Sequence, residues 1–314
     1  MNIVVVGQGA IGLLFYHFIS KTINSDKKSD DLVTLSPSYT TSNKQENYHF
    51  TDINGLTETL ILNYANQNTI KTADIILLAV KSYQVTQALT QLASLLPSKA
   101  AIVLCHNGMG TFEKLPKKLT DNHQIISMLT THGCLKDAPL KITHTGVGRI
   151  DFGIVANQLI KQQPGLSKSA QVIVTKIKKI LTPANFHFDI IEKQWLKLAV
   201  NCVINPLTAI YDVKNGAINE RKYKNITRAL LAEIVLVAKT QDINLELNSL
   251  VNMVKKVAQS TSENSSSMRC DLIDNKPTEI DFINGYIHRL GQIHDINTPK
   301  NTYLWHQISQ RQST

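Results

Sequence analysis

Ile3-Val4-Val5-Val6 runs without a polar break into Gly7-Gln8-Gly9-Ala10-Ile11-Gly12, and the apolar stretch Leu13-Leu14-Phe15 follows directly. A short, wholly β-branched run bounded by glycine reads as a strand buried on both faces, the kind a parallel sheet needs. The turn into the helix explains the glycines. Gly7 permits the tight turn, Gly9 lets a ligand approach the backbone, and Gly12 lets helix and strand pack closely. The start of the helix offers unpaired N–H groups and a positive dipole end to an anion. Together these features predict an open α/β sheet of the Rossmann type. Gly7, Gln8, Gly9, Ala10, Ile11 and Gly12 would then hold a dinucleotide's pyrophosphate.

Further apolar, β-rich runs at 32–35, 74–80, 101–104 and 125–130 fit that sheet, separated by stretches long enough for crossover helices. Residues 24–31 read as a polar turn. The polar stretch 36–73 has room for short strands near 48–52 and 59–62. More strands are expected between 140 and 153, then an amphipathic helix near 167–181. Beyond Asp189 almost everything has helical periodicity, with long helices expected at 191–210, 220–241, 246–270 and 277–293. A chain of 314 residues accommodates two domains. The expected division is 1–188, a dinucleotide-binding domain, and 189–314, an all-helical domain carrying substrate and catalysis.

Composition narrows the partners. The net charge of +9 is dispersed over the chain, aromatics are only 6% of residues, and no nucleic-acid motif is present, so small anions are a better use of the charge than nucleic acid. No apolar run approaches the roughly 20 residues of a membrane span. Met1-Asn2 leads straight into the first strand, so a cytoplasmic protein without a membrane partner is expected. Cys105, Cys134, Cys202 and Cys270 are too far apart for a CxxC pair or a zinc cluster with the histidines, so no metal is expected.

Ligands of open α/β sheets bind at the carboxyl ends of the strands. Besides Gly7, those ends carry Lys81 and the segment His106-Asn107-Gly108-Met109-Gly110. The acid expected about 20 residues past the loop, to accept ribose hydroxyls, is missing. Ser36 and Ser38 stand at the second strand's end, and Lys44 is the nearest cation.

The segment Trp195 to Ile210 is apolar except for a narrow stripe. Lys197, Asn201 and Asn205 recur at i, i+4 and i+8, one face of a helix that is otherwise fit for burial. Their polar groups must be satisfied inside, by protein or by a ligand. A lysine so placed can act as general acid to a carbonyl oxygen, and paired amides can fix a hydroxyl or carbonyl. A solvent-facing seam with Lys197 snorkelling outward is the bland alternative. Glu279 reads as the first turn of a helix, where the dipole favours a carboxylate. Its neighbours at helical spacing, Ile283, Tyr286 and Leu290, are apolar, so Glu279 is expected to face inward.

His106-Asn-Gly-Met-Gly-Thr111, Trp195 through Ile210, Ser262-Glu-Asn-Ser-Ser-Ser-Met268 and Thr278-Glu-Ile-Asp-Phe-Ile-Asn-Gly285, in this order and spacing, resemble the ketopantoate reductase (2-dehydropantoate 2-reductase) family from Asn2 to about Thr302. The resemblance implies a helical second domain of the 6-phosphogluconate dehydrogenase-like type, with the site in the cleft between domains. It implies NADPH-dependent reduction of 2-dehydropantoate to pantoate, on the way to pantothenate and coenzyme A. Lys197 would be the general acid, and Glu279 would hold the substrate hydroxyl and support Lys197. Asn201 and Asn205 would bind substrate, Ser267 its carboxylate, and Asn107 both substrate and cofactor. Lys81 would close the cofactor side, and Asp271 would stand near the serine. The oligomer would be a monomer or homodimer. Family members commonly carry arginine where this chain has Ser36, so NADH use stays open, with Lys44 a substitute cation. Opine-like and acetohydroxy-acid reductases, or a nicotinamide-binding sensor without the chemistry, are the rival readings.

Overall fold

The computed structural model describes residues 1–26, 30–37, 46–155 and 166–312. Ser38 and Lys44 lie outside them. The chain forms two compact units, one of Met1–His106 with Lys114–Ile190, the other of Asn107–Glu113 with Ile191–Thr314. A single cut at 188 does not describe this, because Asn107–Glu113 packs with the second unit.

The first unit contains β1 (Asn2–Val6), α1 (Ala10–Ser25), β2 (Leu32–Leu35), β3 (Glu46–Thr51), β4 (Thr57–Leu62), α2 (Gln67–Lys71), β5 (Ile75–Leu78), α3 (Val85–Leu92) and β6 (Ala101–Leu104). It continues with α4 (Lys117–Asn122), β7 (Ile125–Thr130), β8 (Gly133–Ala138), β9 (Lys141–Gly146), β10 (Ile150–Ile154), α5 (Lys168–Ile180) and β11 (Ala184–Phe186). The expected parallel sheet is present, in the order β11-β10-β7-β6-β5-β1-β2, with β10 antiparallel to β7. Val6 pairs with Leu78, and Leu78 with Leu104. The residues that follow these strands therefore emerge at one end of the sheet.

A second sheet, in the order β4-β3-β9-β8, was not foreseen as a separate layer. It gathers the short strands of 46–62 with those of 133–146. Tyr48 and Phe50 on β3 and Ile142 and His144 on β9 point to one buried side. There they cover α1: His17, 2% exposed, stacks its ring on Phe50 at 3.6 Å and has Nδ1 3.1 Å from the Tyr48 hydroxyl.

The second unit holds α6 (Ile190–Tyr211) from its second residue onward, α7 (Lys224–Lys239), α8 (Leu247–Ser260), α9 (Ser267–Ile273), α10 (Asn284–Ile293) and α11 (Pro299–Gln312). Two expected helices are broken. The stretch 246–270 divides because Ser262 and Asn264 turn their carbonyls to the N–H groups of Gly216 and Asn215. Ser266 then caps a new helix by accepting from the Arg269 N–H at 3.1 Å. The stretch 277–293 divides because Ile280–Phe282 form a 3-10 turn and Ile283 leaves helical geometry at φ −107°, ψ −98°. Glu279 thus precedes a tight turn, and the helical face 279-283-286-290 does not exist.

Candidate active site

The first unit carries the glycine loop. Gly7 has φ +117°, and a Cβ there would lie 2.4 Å from the Ala79 carbonyl oxygen. A Cβ on Gly12 would lie 2.0 Å from the Gly7 oxygen, so α1 approaches the turn as closely as its backbone allows. Gly9 differs, because nothing stands within 4 Å of a Cβ placed on it. It is also the N-cap of α1, and as a glycine it has no side chain to cap that helix. Open space over a glycine beside uncapped helical N–H groups fits a diphosphate, which needs backbone donors and no side chain in the way. Lys81 follows β5 at the same end of the sheet and is half-buried, its N–H donating to Gln84 Oε1 at 3.2 Å.

In the second unit α6 carries the polar stripe, with Lys197 and Asn201 half-buried and Asn205 only 7% exposed. With a rise of about 1.5 Å per residue, the stripe is roughly 12 Å long. Trp195 and Tyr286 meet with ring centroids 6.0 Å apart, which ties the start of α6 to the first turn of α10. Burial raises the pKa of the Tyr286 hydroxyl, and the Glu113 carboxylate adds to that.

The segment 107–113 is pinned onto the turn before α10. Met109 N–H donates to the Phe282 carbonyl at 2.8 Å. Gly108, at φ +80°, lies so close that a Cβ would be 2.3 Å from the same oxygen, and a Cβ on Gly110 would strike the Tyr286 ring. These contacts seat Asn107 against Glu279. The Asn107 amide nitrogen donates to Oε2 at 3.0 Å and its backbone N–H to Oε1 at 3.3 Å. Glu279 is 4% exposed, so a carboxylate buried on an apolar core is held by directed donors.

The turn is in turn fixed to α6 by residues that sequence reasoning passed over. Pro206 lies inside α6 and has no N–H to give the Cys202 carbonyl one turn back. Asn284, fully buried, supplies the missing donor through Nδ2 at 3.0 Å and donates as well to Asn301 Oδ1 at 3.0 Å. Asn301 passes the load on, its backbone N–H and Nδ2 both donating to Glu233 Oε2 at 2.9 and 2.7 Å. The proline within an apolar helix was the available signal, since its orphaned carbonyl requires a donor from elsewhere.

Ser267 is exposed at the first position of α9. Its neighbour Ser266 is buried and accepts from the Thr208 hydroxyl at 2.7 Å, linking α9 to α6. Asp271 is buried on α9. Of the expected site residues, Asn107 and Glu279 are joined directly by hydrogen bonds. Among the described residues no group of histidine, cysteine and carboxylate side chains is arranged to hold a metal ion, and no helix is long and apolar enough to cross a membrane.

A glycine loop on a parallel sheet, joined in one chain to a helical unit with a half-buried lysine and buried amide and carboxylate groups, defines a Rossmann-type oxidoreductase. Two family models match: ketopantoate reductase PanE/ApbA over residues 3–157 and its C-terminal counterpart over 189–312. A 2-dehydropantoate 2-reductase of Vibrio cholerae is 34% identical over 98% of this chain and 97% of its own. The chain belongs to the ketopantoate reductase family. Among solved structures, a D-mandelate dehydrogenase with NADH and anilino(oxo)acetate has a TM-score of 0.84 at 21% identity, covering 100% of this chain and 99% of that one. A PanE/ApbA family ketopantoate reductase from Ralstonia eutropha has a TM-score of 0.82 at 19% identity over the same shares. At those identities the likeness concerns the fold.

Proposed function

We propose that this protein reduces 2-dehydropantoate to pantoate with NADPH, the step that feeds pantothenate and coenzyme A synthesis. The observation that carries the reading is the Asn107–Glu279 pair seated by the turn that Asn284 fastens to the Lys197-bearing helix. Family membership supports the substrate assignment. The dinucleotide belongs to the first unit, on Gly7, Gln8, Gly9, Ala10, Ile11 and Gly12 with Lys81, and Asn107 would meet both it and the substrate. The keto acid belongs to the second.

When bound, a reduced nicotinamide supplies hydride to C2 of the keto acid. The residues of this chain supply the rest. Lys197 delivers a proton to the oxygen on C2 as negative charge develops there, the role of a positioned general acid. Glu279 accepts the substrate hydroxyl's proton in a hydrogen bond, and Asn107 holds that carboxylate in place. Asn201 and Asn205 fix hydroxyl and carbonyl groups through paired donors and acceptors. Ser267 meets the substrate carboxylate. Holding the keto acid in one orientation supplies much of the acceleration.

The test is oxidation of NADPH by the purified protein with 2-dehydropantoate, against pyruvate, 2-oxoisovalerate and an aryl 2-keto acid. Turnover selective for 2-dehydropantoate is expected. Equal turnover of the aryl keto acid, or NADPH binding with no oxidation, would overturn the assignment.

A further inference from the structure

The end of β2, where the adenosine ribose of a dinucleotide rests in this class of fold, carries Ser36 and Pro37. Ser36 is neither a carboxylate for ribose hydroxyls nor a guanidinium for a 2′-phosphate. Among the described residues, the second sheet brings a cation to the glycine loop. β8 packs beside α1. Cys134 Sγ on that strand approaches the Ala10 carbonyl at 3.5 Å. Two residues on, and therefore on the same face of the strand, Lys136 Nζ donates to the Gln8 carbonyl at 2.8 Å. Gln8 then reaches across with Nε2 to the Ser36 carbonyl at 3.2 Å. Lys136, Gln8 and Ser36 form a continuous hydrogen-bonded line from β8, over the glycine loop, to the end of β2.

We propose that Lys136 is a specificity-determining residue of this protein, its ammonium receiving the 2′-phosphate of NADPH in place of the cation that position 36 does not supply. The inference rests on the reading that the glycine loop holds a dinucleotide. Lys136 is exposed on its strand, where a bond to a neutral carbonyl is readily exchanged for a stronger, charge-assisted one to a phosphate. The Gln8 carbonyl keeps the ammonium beside the ribose end of the loop until that exchange. Asp137, next along β8, accepts the Thr143 hydroxyl at 2.6 Å. A lysine grips phosphate as a point charge, without the two-pronged geometry of arginine. Discrimination against NADH should therefore be moderate and should fall with added salt.

The experiment compares wild type, Lys136→Met, Lys136→Arg and Lys44→Met by fluorescence titration with NADPH and with NADH. Calorimetric titration with adenosine 2′,5′-bisphosphate and with 5′-AMP, which differ by the 2′-phosphate alone and cannot turn over, completes it. Loss of one charge-assisted contact should weaken NADPH and the bisphosphate roughly tenfold or more in Lys136→Met. NADH and 5′-AMP should stay within about twofold, and Lys136→Arg should restore NADPH. Equal weakening of NADPH and NADH would assign Lys136 to the diphosphate and overturn the proposal. So would unchanged NADPH affinity in Lys136→Met, or a selective loss in Lys44→Met alone. A wild-type protein that binds neither dinucleotide would overturn the glycine-loop reading as well, which separates the two failures.

Discussion

Asn284→Ala offers the sharpest test of how the site is held together. The side chain makes two buried donations, to the Cys202 carbonyl that Pro206 leaves without its helical partner and to Asn301 Oδ1. Orphaning a buried acceptor costs about 1–3 kcal/mol, so two cost about 2–6. The Asn284 Oδ1 atom is itself buried without a hydrogen-bond partner. Deleting it offsets about 1–3 kcal/mol, leaving a net loss of about 1–3 kcal/mol. The sign of one contribution can be checked independently. In the alanine background, Pro206→Ala returns an N–H to Cys202 from within the helix, so the double-mutant cycle should show a coupling of about 1 kcal/mol or more. Trp195 and Trp305 both belong to the second unit, so urea unfolding followed by tryptophan fluorescence reads that unit. A change below about 0.5 kcal/mol for Asn284→Ala, within the range of ordinary surface substitutions, or strict additivity with Pro206→Ala, would refute the view that this amide replaces the proline's missing donor.

Three further outcomes are expected. Lys197→Ala should lower turnover by about 10²–10⁴-fold, the range for a lost general acid, while NADPH affinity holds; undiminished turnover would remove Lys197 from the chemistry. Gly12→Ala should abolish NADPH binding and lower the melting temperature, because the new methyl would sit 2.0 Å from the Gly7 oxygen, and wild-type binding in a titration would contradict that geometry. Burial, with Lys21 adding to it, pushes the His17 imidazole from 6.5 down to about 4. Between those values the unfolded chain binds the extra proton, so His17's contribution is full above pH 6.5 and is lost as pH falls through about 4, at most about 3 kcal/mol. Urea midpoints across that window should show the slope in wild type and a shallower one in His17→Phe; parallel slopes would count against it.

Some of this molecule was legible in the sequence because sterics or burial acts locally. The run Ile3 to Val6 admits few environments, and the loop after it admits little but glycine at Gly7 and Gly12. The near-uniform apolarity of α6 likewise marks a buried helix. The second sheet was hidden because β3 pairs with β9, whose partner residues His49 and Lys141 lie far apart in the chain; alternation identifies a strand and not its neighbour. The break before α10 was hidden for the opposite reason, since Ile280 and Ile283 continue an apolar helical rhythm through a stretch where the backbone turns. Glu279 was expected to face inward, and it is buried. Its union with Asn107 spans 172 residues and follows from glycine contacts at Gly108 that no spacing encodes.

The detour of Asn107–Glu113 into the second unit has a consequence for dissection. Neither unit is an uninterrupted length of chain, so a fragment beginning at 191 would lack one of its own structural pieces. It would leave the Phe282 carbonyl without Met109 and deprive Glu279 of both Asn107 donors. Genetic modularity and physical compactness part company at this point. Supplying a peptide of residues 107–113 in trans, or splicing it ahead of 191 by permuting the gene, is the route by which the helical half would become a protein of its own.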